Sequence, residues 1–209
     1  MTDAGTMPIA FWLLPGEEDA RWLRDRIDAL AVKHEGPTFD PHVTLHVGRC
    51  PPDTDVEAVL GRLARRDPIA ALTLAALQTR ESEARFKALF FDIATDRLDG
   101  AGLLELRRRL VEELLKADTS TPKSARDTKE PLPRSALEQA LASFEFLPHL
   151  SLLYGVLPRP IREGLARQND VQGRSITFDR LAAVRPAAGF ADLSGVERWH
   201  VFGHRRLGC

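Results

Sequence analysis

Two short stretches of this chain set an imidazole and a hydroxyl two residues apart: His42-Val43-Thr44 and His149-Leu150-Ser151. In an extended strand successive side chains alternate between faces. Each His therefore shares a face with its hydroxyl, while Val43, Leu45 and Val47, or Leu150 and Leu152, turn to the other side. Imidazoles titrate near neutrality, so two of them can divide the work of general base and general acid. Serine and threonine hydroxyls donate to anionic oxygens. Two of each, converging on one point, meet the needs of displacement at a phosphoryl group: a base for an attacking water, an acid for the leaving oxygen, and donors for the nonbridging oxygens. The set suits a cyclic phosphodiester in particular, because the departing oxygen there is a sugar hydroxyl that must gain a proton.

The two stretches are copies of one another. Phe39-Asp40-Pro41-His42-Val43-Thr44-Leu45-His46-Val47-Gly48 aligns with Phe146-Leu147-Pro148-His149-Leu150-Ser151-Leu152-Leu153-Tyr154-Gly155; five of the ten positions are identical, and Thr44/Ser151 keeps the hydroxyl. A bare His-x-Ser/Thr carries little weight. The extended echo does carry weight, since an internal repeat reorganises the reading of a whole chain. It implies one catalytic domain, 1–209, built from two pseudo-symmetric lobes of about 1–80 and 85–209. Strict alternation places His46 on the face of His42, but its repeat partner is Leu153, so no shared metal site is expected. The same alternation turns Tyr154 away from His149 unless the strand twists or ends before Gly155.

The elements that must hold these residues follow from periodicity. Met7 to Leu14, closed by Pro15-Gly16, reads as a buried strand, and Glu17 to Lys33 as an amphipathic helix with an acidic first turn. His42 to Val47 is a strand, Thr54 to Arg66 a helix, and Ile69 to Thr79 with Phe86 to Thr95 a pair of strands suited to a hairpin. A helix over Leu103 to Lys116 precedes a proline-rich loop, 118–135. A helix at Ala136 to Ser143, a strand at Leu150 to Tyr154, a helix at Pro160 to Gln168, and strands near Ile176 to Val184 and Val196 to Gly203 complete the chain. The order is strand, helix, His strand, helix, strand, then the same again with one strand added. It implies an α+β bilobal fold, two antiparallel sheets lining a central cleft with helices outside.

Composition narrows the function classes. The chain has 209 residues, 29 Lys+Arg against 30 Asp+Glu, a net charge of −1 and 44% apolar residues. That is enough for a sizeable core and too ordinary for disorder. A near-neutral charge argues against general binding to duplex nucleic acid, which draws on many Lys/Arg–phosphate contacts. Two cysteines, Cys50 and Cys209, do not make a disulfide framework. No signal peptide and no 18-residue apolar run are evident, so a cytoplasmic protein without membrane association is expected. His34, His200 and His204 read as surface or structural.

The paired motifs, together with Trp12-Leu13-Leu14-Pro15 in the first strand, resemble the signatures of the two-histidine phosphoesterase superfamily. Within it the chain is most similar to the cyclic nucleotide phosphodiesterases of plants and yeast, over nearly its whole length. The resemblance implies hydrolysis of a 2′,3′-cyclic nucleotide phosphate, or of ADP-ribose 1″,2″-cyclic phosphate, without a metal; no other cofactor and no obligate protein partner are expected. It assigns catalysis to His42 and His149 and phosphate contacts to Thr44, Ser151 and Tyr154. In the split expected here, His149 activates the water and His42 protonates the leaving oxygen, with the pseudo-symmetry leaving the reverse division open. Trp12 and Phe86, on strands of the sheets, are candidates to stack on a base. Processing of RNA ends, or noncatalytic binding of nucleotides or RNA in the same cleft, are the alternatives.

Overall fold

The computed structural model describes residues 6–66, 70–79, 89–95, 98–117, 134–186 and 199–208. Phe86, most of the 118–135 loop and the start of the final expected strand lie outside them. Seven strands and five helices follow one another along the described chain: β1 (Met7–Pro15), α1 (Glu17–His34), β2 (Val43–Cys50), α2 (Val56–Arg66), β3 (Ala70–Gln78), β4 (Leu89–Ile93), α3 (Leu98–Ala117), α4 (Arg134–Ala142), β5 (His149–Leu153), α5 (Arg159–Asn169), β6 (Ser175–Arg185) and β7 (His200–Arg206). The mixed class expected from the sequence, helices with antiparallel sheet, is the one observed. No described helix is long and apolar enough to cross a membrane.

Every strand pairing is antiparallel, and the strands connect in the order β1-β2-β5-β4-β3-β6-β7, with β6 also paired to β1. The sheet has two wings, β2-β1-β6-β7 and β5-β4-β3. They join at two narrow places: a four-residue stretch where β3 meets the start of β6, and the single pair Val43↔Leu150 between β2 and β5. The repeat boundary near residue 80 divides the sequence and not the sheet. β3, from the first half of the chain, is paired beside β4, while β6, from the second half, pairs with β1 and carries β7 on its other edge.

The helices form because their apolar residues recur at helical spacing and the sheet offers a surface to bury them. α1 carries Glu17, Glu18 and Asp19 at the positive end of its dipole and buries Ala20, Leu23, Ile27, Leu30 and Ala31. It ends at Glu35, whose φ of 53° is left-handed. Gly36 follows, and a Cβ there would come within 2.9 Å of both Leu153 Cδ1 and the Tyr154 carbonyl. A side chain at residue 36 would therefore push the loop toward His42 away from the end of β5. The core runs through both wings, with Ile9, Phe11 and Leu13 of β1 beside Val43, Leu45, Phe91, Leu150, Phe178 and Leu181, all 1% exposed or less.

Candidate active site

The four motif residues gather where the wings meet. Val43 and Leu150 are antiparallel partners, so the residues one step to either side lie together: His42 beside Ser151, and Thr44 beside His149. Val43 and Leu150 are fully buried toward the core, and the flanking residues take the opposite face by alternation. All four side chains of the tetrad are thereby turned to the surface between the wings. A local pseudo-twofold passes through the Val43/Leu150 pair, exchanging β2 with β5 and β1 with β4.

Each imidazole is held in the same way. His42 Nδ1 lies 2.7 Å from the Asp40 carbonyl oxygen, and His149 Nδ1 lies 2.7 Å from that of Leu147. A carbonyl only accepts, so Nδ1 carries a proton in both rings and Nε2 is the nitrogen that can exchange one with a ligand. The Pro41 and Pro148 that precede the histidines favour the extended backbone from which this two-residue reach is made. Both hydroxyls also face an aromatic across the strand. Thr44 pairs with Trp12, whose ring stacks on His42 at 3.7 Å and 10°, and Ser151 pairs with Phe90, whose ring meets His149 edge-on at 5.5 Å and 76°.

Trp12 therefore stacks, but on the imidazole. It is 3% exposed and also lies parallel to Trp199 at 5.7 Å, so it serves as a platform for His42 and offers no open shelf to a base. Phe86 is outside the described residues. Phe90 and Trp199 were not singled out from the sequence; a register derived from the repeat, with β4 as the counterpart of β1, would have found Phe90 opposite Ser151.

Two matching irregularities correct the strict alternation. Between Phe11↔His46 and Trp12↔Thr44 the register slips by one, which makes Leu45 an extra residue in β2. Since β1 continues regularly against β6 there, Phe11 and Trp12 point to opposite faces, and His46 is on the Phe11 side. It does not share a face with His42 and Thr44. It packs edge-on to Phe144 at 6.0 Å, under the charge of Arg107 on α3. Among the described residues no three of His, Cys, Asp and Glu are grouped to hold a metal ion. The second slip, between Leu89↔Leu153 and Phe90↔Ser151, makes Leu152 the extra residue in β5, the position equivalent to Leu45. It moves Leu153 to the core face and brings Tyr154 round to the face of Ser151. A β-bulge re-aims the side chains that follow it; here it turns the tyrosine to the face that carries Ser151. Tyr154 is 8% exposed, packs on Phe39 at 4.5 Å, and its phenol is pushed up to about 12 by burial, with the Ser151 hydroxyl acting in the opposite sense. Among the described residues Ser151 Oγ has no hydrogen-bond partner in good geometry, so a buried hydroxyl keeps its donor unspent.

Burial holds His42 and His46 neutral. Each is 6% exposed and pushed down from 6.5 to about 4. For His42 burial outweighs the opposing pull of the Asp40 carbonyl and carboxylate; for His46 the Arg107 charge adds to burial. With the folded value depressed, the unfolded chain binds the extra proton, so stability is full above pH 6.5 and is lost as the pH falls through 6.5 toward 4, by about 3 kcal/mol for each group at most. Denaturant midpoints are expected to fall over that window, and His46→Leu to flatten part of the slope. An identical slope in the variant would remove His46 from the account.

The fold and this pair of His-x-hydroxyl strands define a two-histidine phosphoesterase. The model of the cyclic phosphodiesterase-like proteins matches residues 7–175, and the chain belongs to that family. Among solved structures, TT0787 of Thermus thermophilus has 20% sequence identity and a TM-score of 0.57, with 97% of this chain and 98% of that one covered. E. coli LigT complexed with 3′-AMP has 16% identity and a TM-score of 0.53, over 99% and 100% of the two chains. LigT complexed with NADP+ has 18% identity and a TM-score of 0.52, over 98% and 99%. These likenesses are of fold. No curated protein matches the chain.

Proposed function

We propose that the protein hydrolyses a small cyclic phosphate, a 2′,3′-cyclic nucleotide or ADP-ribose 1″,2″-cyclic phosphate, to the monophosphate, with the tetrad supplying the chemistry and no metal taking part. The observation that supports it most is the pair of imidazoles fixed alike through Nδ1, each with Nε2 as its proton-exchanging nitrogen, beside two hydroxyls around one pseudo-twofold. One Nε2 removes a proton from water as its oxygen bonds to phosphorus, and the other returns a proton to the sugar oxygen as the P–O bond breaks. Thr44, Ser151 and Tyr154 donate to the nonbridging oxygens, on which charge grows in the transition state. Opening a ring phosphate needs one anion site and not a basic surface, in keeping with a net charge of −1. E. coli LigT is described in complex with 3′-AMP and with phosphate; a nucleoside monophosphate is the kind of product this reaction would release.

Incubation with the four 2′,3′-cyclic nucleotides and with ADP-ribose 1″,2″-cyclic phosphate, with and without EDTA, tests the reading. The expected result is a nucleoside 2′- or 3′-monophosphate, or the corresponding ADP-ribose phosphate, formed at a rate that EDTA leaves unchanged. Saturable binding without turnover would make the cleft a nucleotide-binding module instead. Cleavage confined to RNA ends would move the protein to RNA-end processing.

A further inference from the structure

The two halves of the site are copies in backbone and unlike in charge. Across the pseudo-twofold Trp12 corresponds to Phe90, and the residue after next in each strand corresponds too: Leu14 of β1 with Asp92 of β4. Asp92 is the register partner of His149. The Ile93 N–H donates to the Pro148 carbonyl at 3.1 Å, which sets the phase of the ladder and makes Asp92/His149 a non-hydrogen-bonded pair. Facing side chains come closest in such pairs, with Cα atoms about 4.5 Å apart. On the other side, continuing Leu13↔Val43 by one step sets the apolar Leu14 across from His42.

The surroundings of the two imidazoles diverge accordingly. His42 is 6% exposed and stacked on an indole, and burial holds it neutral against the Asp40 carboxylate, which lies 3.1 Å from Arg24. His149 is half-buried. Among the described residues, the polar groups on its face are Asp92 on β4, Thr73 and Gln78 on β3, Thr44 on β2 with His42 just before it, Ser151 on its own strand, and the buried phenol of Tyr154 just past the bulge. Strands β2, β3, β4 and β5 hold one carboxylate between them, Asp92.

We propose that Asp92 is a positioning residue that keeps His149 as an imidazolium, so that His149 is the general acid and His42 the general base. This reverses the division expected from the sequence, and it rests on the hydrolase reading above. In the step, His42 Nε2 takes a proton from water while the water oxygen bonds to phosphorus. The bond from phosphorus to the sugar oxygen breaks, and His149 Nε2 gives its proton to that oxygen. Asp92 bonds to no reacting atom; its charge offsets that of the imidazolium, and its loss favours the neutral ring.

The test is the titration of the histidine Cε1–H signals by NMR, alongside the pH profile of kcat/KM. In Asp92→Asn the His149 midpoint is expected to fall by roughly one unit or more. The alkaline limb of the profile should fall with it, while the His42 midpoint and the acid limb stay in place, and Asp92→Glu should restore the wild-type values. An unmoved His149 midpoint in folded Asp92→Asn overturns the proposal. Should that variant fail to fold, wild-type protein still decides: His42 must titrate below His149, and the opposite order overturns the assignment. A His149 signal that responds to Asp92 in a protein cleaving no cyclic phosphate upholds the pairing and sinks the hydrolase reading.

Discussion

Replacing His42 or His149 by alanine is expected to lower kcat on the best 2′,3′-cyclic nucleotide by about 10²–10⁴-fold, the usual contribution of one general acid or base. Each variant loses one proton-transfer partner and keeps the anion site, so KM should change far less than kcat. The double variant should be little worse than either single one, because groups that act in the same displacement are not additive. Each single variant should also lose one limb of the bell-shaped profile. His42→Ala leaves a large void beside Trp12, so circular dichroism and His42→Gln are needed to separate chemistry from stability. Near-wild-type kcat in either folded variant, on every cyclic phosphate tried, would remove that imidazole from the mechanism.

The repeat makes the tetrad legible in the sequence, because identical residue types at matching strand positions carry no obligation from packing. His42, Thr44, His149 and Ser151 do meet at one place, and the reason is one backbone pair, Val43↔Leu150, that only the sheet topology supplies. What the sequence hid was parity. Both copies insert one residue after the hydroxyl, Leu45 and Leu152, and a leucine in a bulge is indistinguishable in sequence from a leucine in regular strand. Counting by twos therefore set His46 in the cleft and Tyr154 out of it, and both are the other way round. Element boundaries were read to within a few residues wherever apolar spacing was regular, as in α1 and β6. The exchange of β3 for β6 between the wings was not readable from order alone, since an order of elements does not say which edge a strand joins.

Arg107→Ala is expected to cost about 3 kcal/mol of stability. Nη2 of Arg107 donates to the Leu141 carbonyl at 2.8 Å and the Phe144 carbonyl at 2.7 Å, and the guanidinium lies 4.6 Å from the Phe146 ring centre. Arg107 is 8% exposed on α3, so one buried cation fastens the segment between α4 and β5 to the body of the protein. Hydrogen bonds from charged groups contribute about 1.5–3 kcal/mol each, and the truncation also opens a void under Phe144 and Phe146. For a chain of this size the loss corresponds to a fall in Tm of about 6–12 °C. The effect reaches catalysis because the same segment ends at Leu147, whose carbonyl holds His149 Nδ1; a slackened anchor misplaces the imidazole, and kcat should fall more than KM rises. Arg107→Lys should recover only part of the stability, since the lysine side chain is shorter and its ammonium has no planar face to lie against Phe146. Removing the charge also frees His46 from the repulsion that helps keep it neutral, so the acid-induced loss of stability should be shallower in Arg107→Ala. A variant that melts at the wild-type temperature with unchanged kcat would show that the segment is held by its apolar contacts alone.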